Sequence, residues 1–199
     1  MNAKILTSVL LIGALSAACQ NMGDRSNAAP VDPAVMQAKW IEYGTPGPAH
    51  QRFAHKAGRW KLNVKHFMAP GQPPMESEAT SEIKLALDGR YLTDSMSGSM
   101  MGSPFHGLGM TGYDNLKKVY WVTWVDNMGT GVTYMEGKYD ADTRTFTYDG
   151  DQADPVTGGT VKSRIVEKSL DDDHLTMEMY MMQGGEMVKG MEIAYTRMK

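Results

Sequence analysis

The sequence predicts an all-β protein: an antiparallel up-and-down β-barrel of about ten strands, preceded by a short N-terminal helix. Three observations carry this expectation. From Trp60 onward, apolar and polar residues alternate with the period of two that half-buried strands require. Compact turn signals rich in Asp, Asn, Gly and Pro separate the alternating runs. No stretch is long enough for a crossover, so successive strands pair with their neighbours. Closure into a barrel removes the edges that such a series would expose. A two-sheet sandwich, the competing architecture, keeps them.

The elements follow in order. Residues 19–47 are rich in Ala, Pro, Asn, Asp and Gly and read as a tether, with room for a helical stretch at 35–43. The segment 48–58 opens with Pro48 and closes with Gly58, the punctuation of a two-turn helix. In the first strand Trp60, Leu62, Val64 and His66 alternate with Lys61, Asn63 and Lys65. Ile83, Leu85 and Leu87 lead into Asp88-Gly89, a hairpin signal, and 90–96 returns. Further strands are expected at 104–113, 119–126, 131–139, 143–149, 160–169, 174–182 and 186–198. Asp149, Asp151 and Asp154 have the look of a calcium loop, but the sharp-turn Gly and closing Glu of an EF-hand are missing, so 149–154 reads as a turn.

The totals bound the function. A chain of 199 residues with a formal net charge of −3 holds one domain, taken as 48–199, and lacks the cation cluster that nucleic acid demands. Cys19 is the only cysteine, so no disulfide forms within the chain. Residues 1–18 read as a signal peptide: Lys4 precedes an apolar run over 5–15 that is too short to span a bilayer. Leu15-Ser16-Ala17-Ala18-Cys19 resembles a lipobox, in which the thiol of Cys19 is acylated. Gln20 rather than Asp after it goes with an outer-membrane lipoprotein facing the periplasm. The membrane would then be a partner through the lipid. An ordinary secretory signal cut after Ala18 would instead give a soluble periplasmic or secreted protein.

Gly58-Arg59-Trp60, after a short helix and at the start of the first strand, resembles the Gly-x-Trp signature of lipocalins and the wider calycins. That resemblance implies that the short helix plugs one end of the barrel, that Trp60 lies across this closed base and that Arg197, from the last strand, covers its indole. Beyond it stand His50 and Phe53, Leu87-Asp88-Gly89-Arg90, Phe105-His106-Gly107, Gly112-Tyr113-Asp114, Tyr120, Trp124 and Asp126. With these, residues 50–199 are similar to the bacterial domain-of-unknown-function family 1579, thought to be calycin-like. Phe53 departs from an expected Leu and leaves the plug apolar. The resemblance implies a barrel and no activity, since a fold alone confers none.

Parity from an inward Trp60 turns Val64 and His66 inward, and six residues of strand carry His66 about 20 Å toward the open mouth. There an imidazole could meet a ligand, haem or metal, or simply bond a neighbouring strand. His106 beside Phe105 is a second candidate. His50 and His55, five apart on a short helix, cannot share a metal. Residues 107–112 spell G-x-G-x-x-G, but a strand and turn follow where a dinucleotide site needs a helix; these glycines relieve crowding or thin the wall beside a cavity. Met177, Met179 and Met181 alternate on one strand, as an apolar lining requires, although thioethers also suit Cu(I). Trp121 and Trp124, three apart, face opposite sides, without a sign of which enters the barrel. Tyr134, Phe146 and Tyr148 offer further aromatic lining. No nucleophile elbow, H-E-x-x-H helix or P-loop is present.

The expectation is an envelope lipoprotein whose lumen binds a small apolar molecule through Val64, His66, Trp124, Tyr134 and Met179. The alternatives are a haem- or metal-binding barrel using His66 or His106, haem being carried by some calycin-like barrels, and a non-catalytic envelope interaction module. No cofactor is specified by the sequence.

Overall fold

Ten antiparallel strands close on themselves in the computed structural model, which describes residues 31–69 and 71–199. The expected signal peptide over 1–18, Cys19 and the front of the expected tether lie outside the described residues. The strands are β1 (Gly58–His66), β2 (Met75–Ala86), β3 (Tyr91–Met100), β4 (Ser103–Asp114), β5 (Val119–Asp126), β6 (Thr133–Asp140), β7 (Thr145–Asp154), β8 (Gly159–Ser169), β9 (His174–Gln183) and β10 (Glu186–Arg197). Each pairs with its successor, and β1 pairs with β10 from Trp60↔Arg197 to His66↔Met191. Every strand therefore has two neighbours, and no edge is exposed.

Two helices precede the barrel. The chain enters α1 (Pro33–Gly44) where the Ala34 N–H donates to Asp32 Oδ1 at 2.8 Å, an N-cap bond. Within the unit that begins at Trp40, Asn115 Nδ2 donates to the Tyr43 and Thr45 carbonyls, and Arg90 donates to that of Gly44. α2 (Pro48–Ala54) is the plug. Its Phe53 is fully buried, 6.5 Å from the Tyr120 ring, and its His50 meets Tyr113 edge-on at 5.7 Å. His50 Nδ1 accepts the Gly47 N–H at 3.0 Å and so fixes the helix start.

β7 departs from expectation. It runs on to Asp154, so the acidic stretch 149–154 is strand and not a turn. Alternation explains this: Asp149 and Asp151 face solvent, where Arg164 of β8 pairs with Asp149 at 2.7 Å, while Gln152 turns inward. Likewise β2 begins at Met75, well before Ile83. The 87–90 turn holds Leu87, Asp88 and Gly89 at φ of 48°, 57° and 80°, and Leu87 is exposed there.

The base is sealed around one indole. Trp60 is fully buried and its Nε1 donates to the Lys56 carbonyl at 2.9 Å. The Arg197 guanidinium lies 4.2 Å from the ring and donates to the carbonyls of Ala57, His55 and Asp172 at 2.7–2.9 Å. Stacking of this kind contributes about 0.5–2 kcal/mol. Gly58 makes room for it. A Cβ there would lie 2.3 Å from Arg197 Nη1, and its φ of +146° disfavours any side chain. Beside this, Lys56 pairs with Glu167 of β8 at 2.7 Å and sits 4.7 Å over Phe146, tying plug to wall.

Gly58→Ala is expected to cost about 2–3 kcal/mol in urea unfolding, from backbone strain and displacement of the guanidinium. In a double-mutant cycle the loss should be less than additive with Arg197→Ala, because the added methyl then meets no guanidinium.

Candidate functional site

The inward positions above the sealed base do not meet across the barrel. They leave a cavity of about 360 Å³. Its sides are apolar: Met96, Met177, Met179 and Met191 with Phe105, Trp124 and the aliphatic Val64, Ile165 and Ile193. Met177 and Met179 project into it because Leu175, two residues before Met177 on β9, is buried on the same face.

Trp124 enters the barrel and Trp121 does not. Trp124 Nε1 donates to Asp126 Oδ2 at 2.9 Å, and its ring stacks near Phe105 at 6.5 Å and 14°. The indole lies flat against β4: a Cβ on Gly107 would stand 2.1 Å from Trp124 Cζ2, and one on Gly109 would stand 3.0 Å from Cε3. Gly112 serves Trp121 in the same way on the outer face, where Tyr91 packs at 5.7 Å. The glycine spacing that spells a nucleotide motif thus makes room for two indoles on opposite sides of one strand.

Val64, His66, Trp124 and Met179 all line the cavity. His66 is the only histidine there among the described residues, and burial lowers its pKa, which favours the neutral imidazole. Two expected lining residues are corrected. His106 is exposed, with Nδ1 3.2 Å from Ser97 Oγ, because Phe105 occupies the inward position beside it. Tyr134 is 44% exposed and its hydroxyl donates to Glu136. β6 opens with Thr133 opposite the inward Trp124, so Thr133 and Met135 face the core and Tyr134 faces out. His66 and His106 therefore lie on opposite faces and cannot share a ligand. Among the described residues no three His, Cys, Asp or Glu side chains converge as a metal would need.

The lower part of the cavity carries polar groups that the alternation pattern passed over. Asp94 lies between the inward Leu92 and Met96 on β3 and accepts from Ser81 Oγ at 2.5 Å. Withdrawal from water pushes its carboxyl up to about 6, against the opposing pull of the Ser81 bond. Glu167 lines the same space beside its Lys56 partner. Tyr148 and Tyr195 also line it, and burial raises both phenols well above their ordinary value, so they stay protonated. A signal for Asp94 existed, since an acid at an inward parity position of an apolar strand is unusual.

A family described as "Protein of unknown function (DUF1579)" matches residues 45–197. The comparison with curated proteins found no match. Among solved structures, the chain is similar to that described as the crystal structure of Rv2717c from M. tuberculosis, at 14% identity and a TM-score of 0.56, over 78% of this chain and 100% of that one. It is also matched to a redesigned β-barrel at 12% identity and a TM-score of 0.38, over 73% of this chain and 96% of the other. The first likeness shows the fold alone.

Asp94 binds its proton more tightly in the folded barrel, at about 6, than at its ordinary 3.8. The stabilisation this gives is complete below the lower value and lost as pH rises through about 6. Asp94→Asn lacks that loss. Its melting temperature should match wild type near pH 4 and exceed it by about 5 °C at pH 8, as read by circular dichroism.

Proposed function

We propose that this chain, which belongs to the DUF1579 family of proteins of unknown function, is an envelope lipoprotein whose barrel lumen binds a small, mostly apolar molecule. The cavity of about 360 Å³ carries this reading. It falls within the range of about 300–1,000 Å³ typical of small-molecule sites, and it joins apolar walls to a few placed polar groups. Seven methionines line the cavity, Met96, Met177, Met179 and Met191 among them, and thioethers adapt their shape to an occupant. Support for the anchor comes from the leader and Cys19 alone.

Native mass spectrometry of protein purified from its own host is expected to reveal a co-purifying small molecule. Ala79→Phe, which places a phenyl group in the lumen, should abolish that extra mass while the melting temperature stays within a few degrees. Host-purified protein with an empty lumen that also takes up no apolar probe would overturn the binding reading and move the role to the outer face. For the anchor, radiolabelled palmitate should label the wild type in cells and leave Cys19→Ser unlabelled. Equal labelling of the two would sink it.

A second reading rests on His66 as the lumen's sole histidine among the described residues. If the occupant is haem, haemin titration gives a Soret shift that His66→Ala removes. A shift indifferent to that change would exclude His66 as ligand.

A further inference from the structure

Asp94 is an acid set in an apolar wall, between the buried Leu92 and Met96 on the inner face of β3. Its Oδ1 accepts from Ser81 Oγ, and its Oδ2 has no hydrogen-bond partner among the described residues. Oδ2 is not sealed off either, because the Tyr148 hydroxyl is the one buried and unpartnered side-chain polar atom among those residues. The Asp94 side chain lines the cavity, so its open oxygen is reached from the lumen. Folding does not call for a charge here. An amide at 94 would accept the Ser81 bond equally well and escape the desolvation that pushes the carboxyl up to about 6. At pH 7.5 the group is nonetheless a carboxylate, held in an apolar chamber without a counter-ion.

Among the described residues no Lys or Arg lines the cavity to supply that counter-ion. The field of Lys56 reaches Asp94, but its ammonium is engaged by Glu167 at 2.7 Å and by the Phe146 ring at 4.7 Å. The other acids of the lining are already served. Glu167 has Lys56, and Asp126 accepts from Trp124 Nε1 and the Met128 N–H, both at 2.9 Å. Burial favours the neutral imidazole of His66. Asp94 is thus the one lining acid whose charge is left unmet. An inorganic ion would need several oxygen ligands, which walls of thioethers and rings do not offer. An ammonium on a hydrocarbon body needs one carboxylate and an apolar wall. Both meet at Gly109, where a Cβ would stand 3.0 Å from Trp124 Cε3 and 3.5 Å from Asp94 Cβ. The bare backbone there lets indole and acid stand side by side.

We propose that the lumen takes an organic ammonium ion, its cationic head paired with Asp94 and its hydrocarbon body among the methionines and Trp124. This rests on the lumen-binding reading above and adds the charge of the head. The ligand N–H donates to Asp94 Oδ2, while Ser81 keeps Oδ1 and holds the carboxylate in place. The desolvation of Asp94 is already met in folding, so pairing adds attraction at the cost of desolvating the ligand head alone. Carboxylates of the same length are repelled by the same group.

The full chain is tested at pH 7.5 with N-phenyl-1-naphthylamine, whose fluorescence rises in an apolar cavity, displaced in turn by octylamine, 1-octanol and octanoate. Octylamine, charged at this pH, should displace the dye at concentrations about tenfold below octanol, with octanoate the weakest of the three. Asp94→Asn should erase the preference, so that octylamine and octanol compete within about twofold of each other. A general loss of packing would weaken both alike and leave their ratio standing. The ranking of the three competitors on wild type needs no variant, so the proposal stays open to refutation even if Asp94→Asn fails to fold. No dye uptake and no octylamine binding by calorimetry on wild type would overturn the lumen reading and this inference together. Dye uptake with octanol or octanoate competing as well as octylamine, or with the octylamine preference indifferent to Asp94→Asn, would overturn the ammonium site and leave lumen binding intact.

Discussion

The stack of the Arg197 guanidinium on the Trp60 indole is the contact on which the barrel depends. These residues are cross-strand partners at the start of β1 and the end of β10, the one place where the sheet joins two strands far apart in sequence. A single cation satisfies three carbonyls from two chain segments, His55 and Ala57 before β1 and Asp172 before β9. The indole in turn holds the Lys56 carbonyl through its N–H. Closure of the sheet, placement of the plug and sealing of the base are therefore one event. Gly58 is its steric condition.

Above the base, the interior changes character with height. The lowest level is aromatic and tightly packed, with Phe53, Tyr120, Phe146 and Trp60 in mutual contact or joined through shared neighbours. Lys56 is buried within this level and pairs there with the half-buried Glu167. Replacing such a pair with apolar residues often costs little, whereas removing one partner costs a great deal, so its value here lies in fixing how the plug meets β8. Higher up, packing gives way to a void walled by thioethers and edged by Asp94, Tyr148 and Tyr195. The core is tightly packed where the fold is closed, and adaptable where the barrel is hollow.

Strand parity made much of the site readable in advance. Once Trp60 was set inward, Val64 and His66 followed on the same strand, and the alternating methionines marked the inner face of β9. The same rule could not fix phase where no anchor preceded it. Tyr134 follows a loop whose length decides which residue of β6 first faces in, and the pairing of Thr133 with Trp124 decided against Tyr134. His106 and Phe105 are adjacent, so only one could enter the barrel, and the apolar ring did. Asp94 went unread because polarity is taken as a sign of the outer face. In a hollow barrel an inward acid can keep some polar company, since Ser81 of the neighbouring β2 donates to it.

By itself the sequence determined the all-β class, the strand succession, the plug and the base, because each follows from local alternation, turn chemistry or one short motif. Only the tertiary structure decided which indole enters, that glycines at 107 and 109 lie beneath it, and that a void remains with an unpaired phenol at its edge. Those features depend on side chains from strands distant in sequence meeting, or failing to meet, across the barrel. A one-dimensional pattern specifies which way a residue points, but not how far away its opposite number stands.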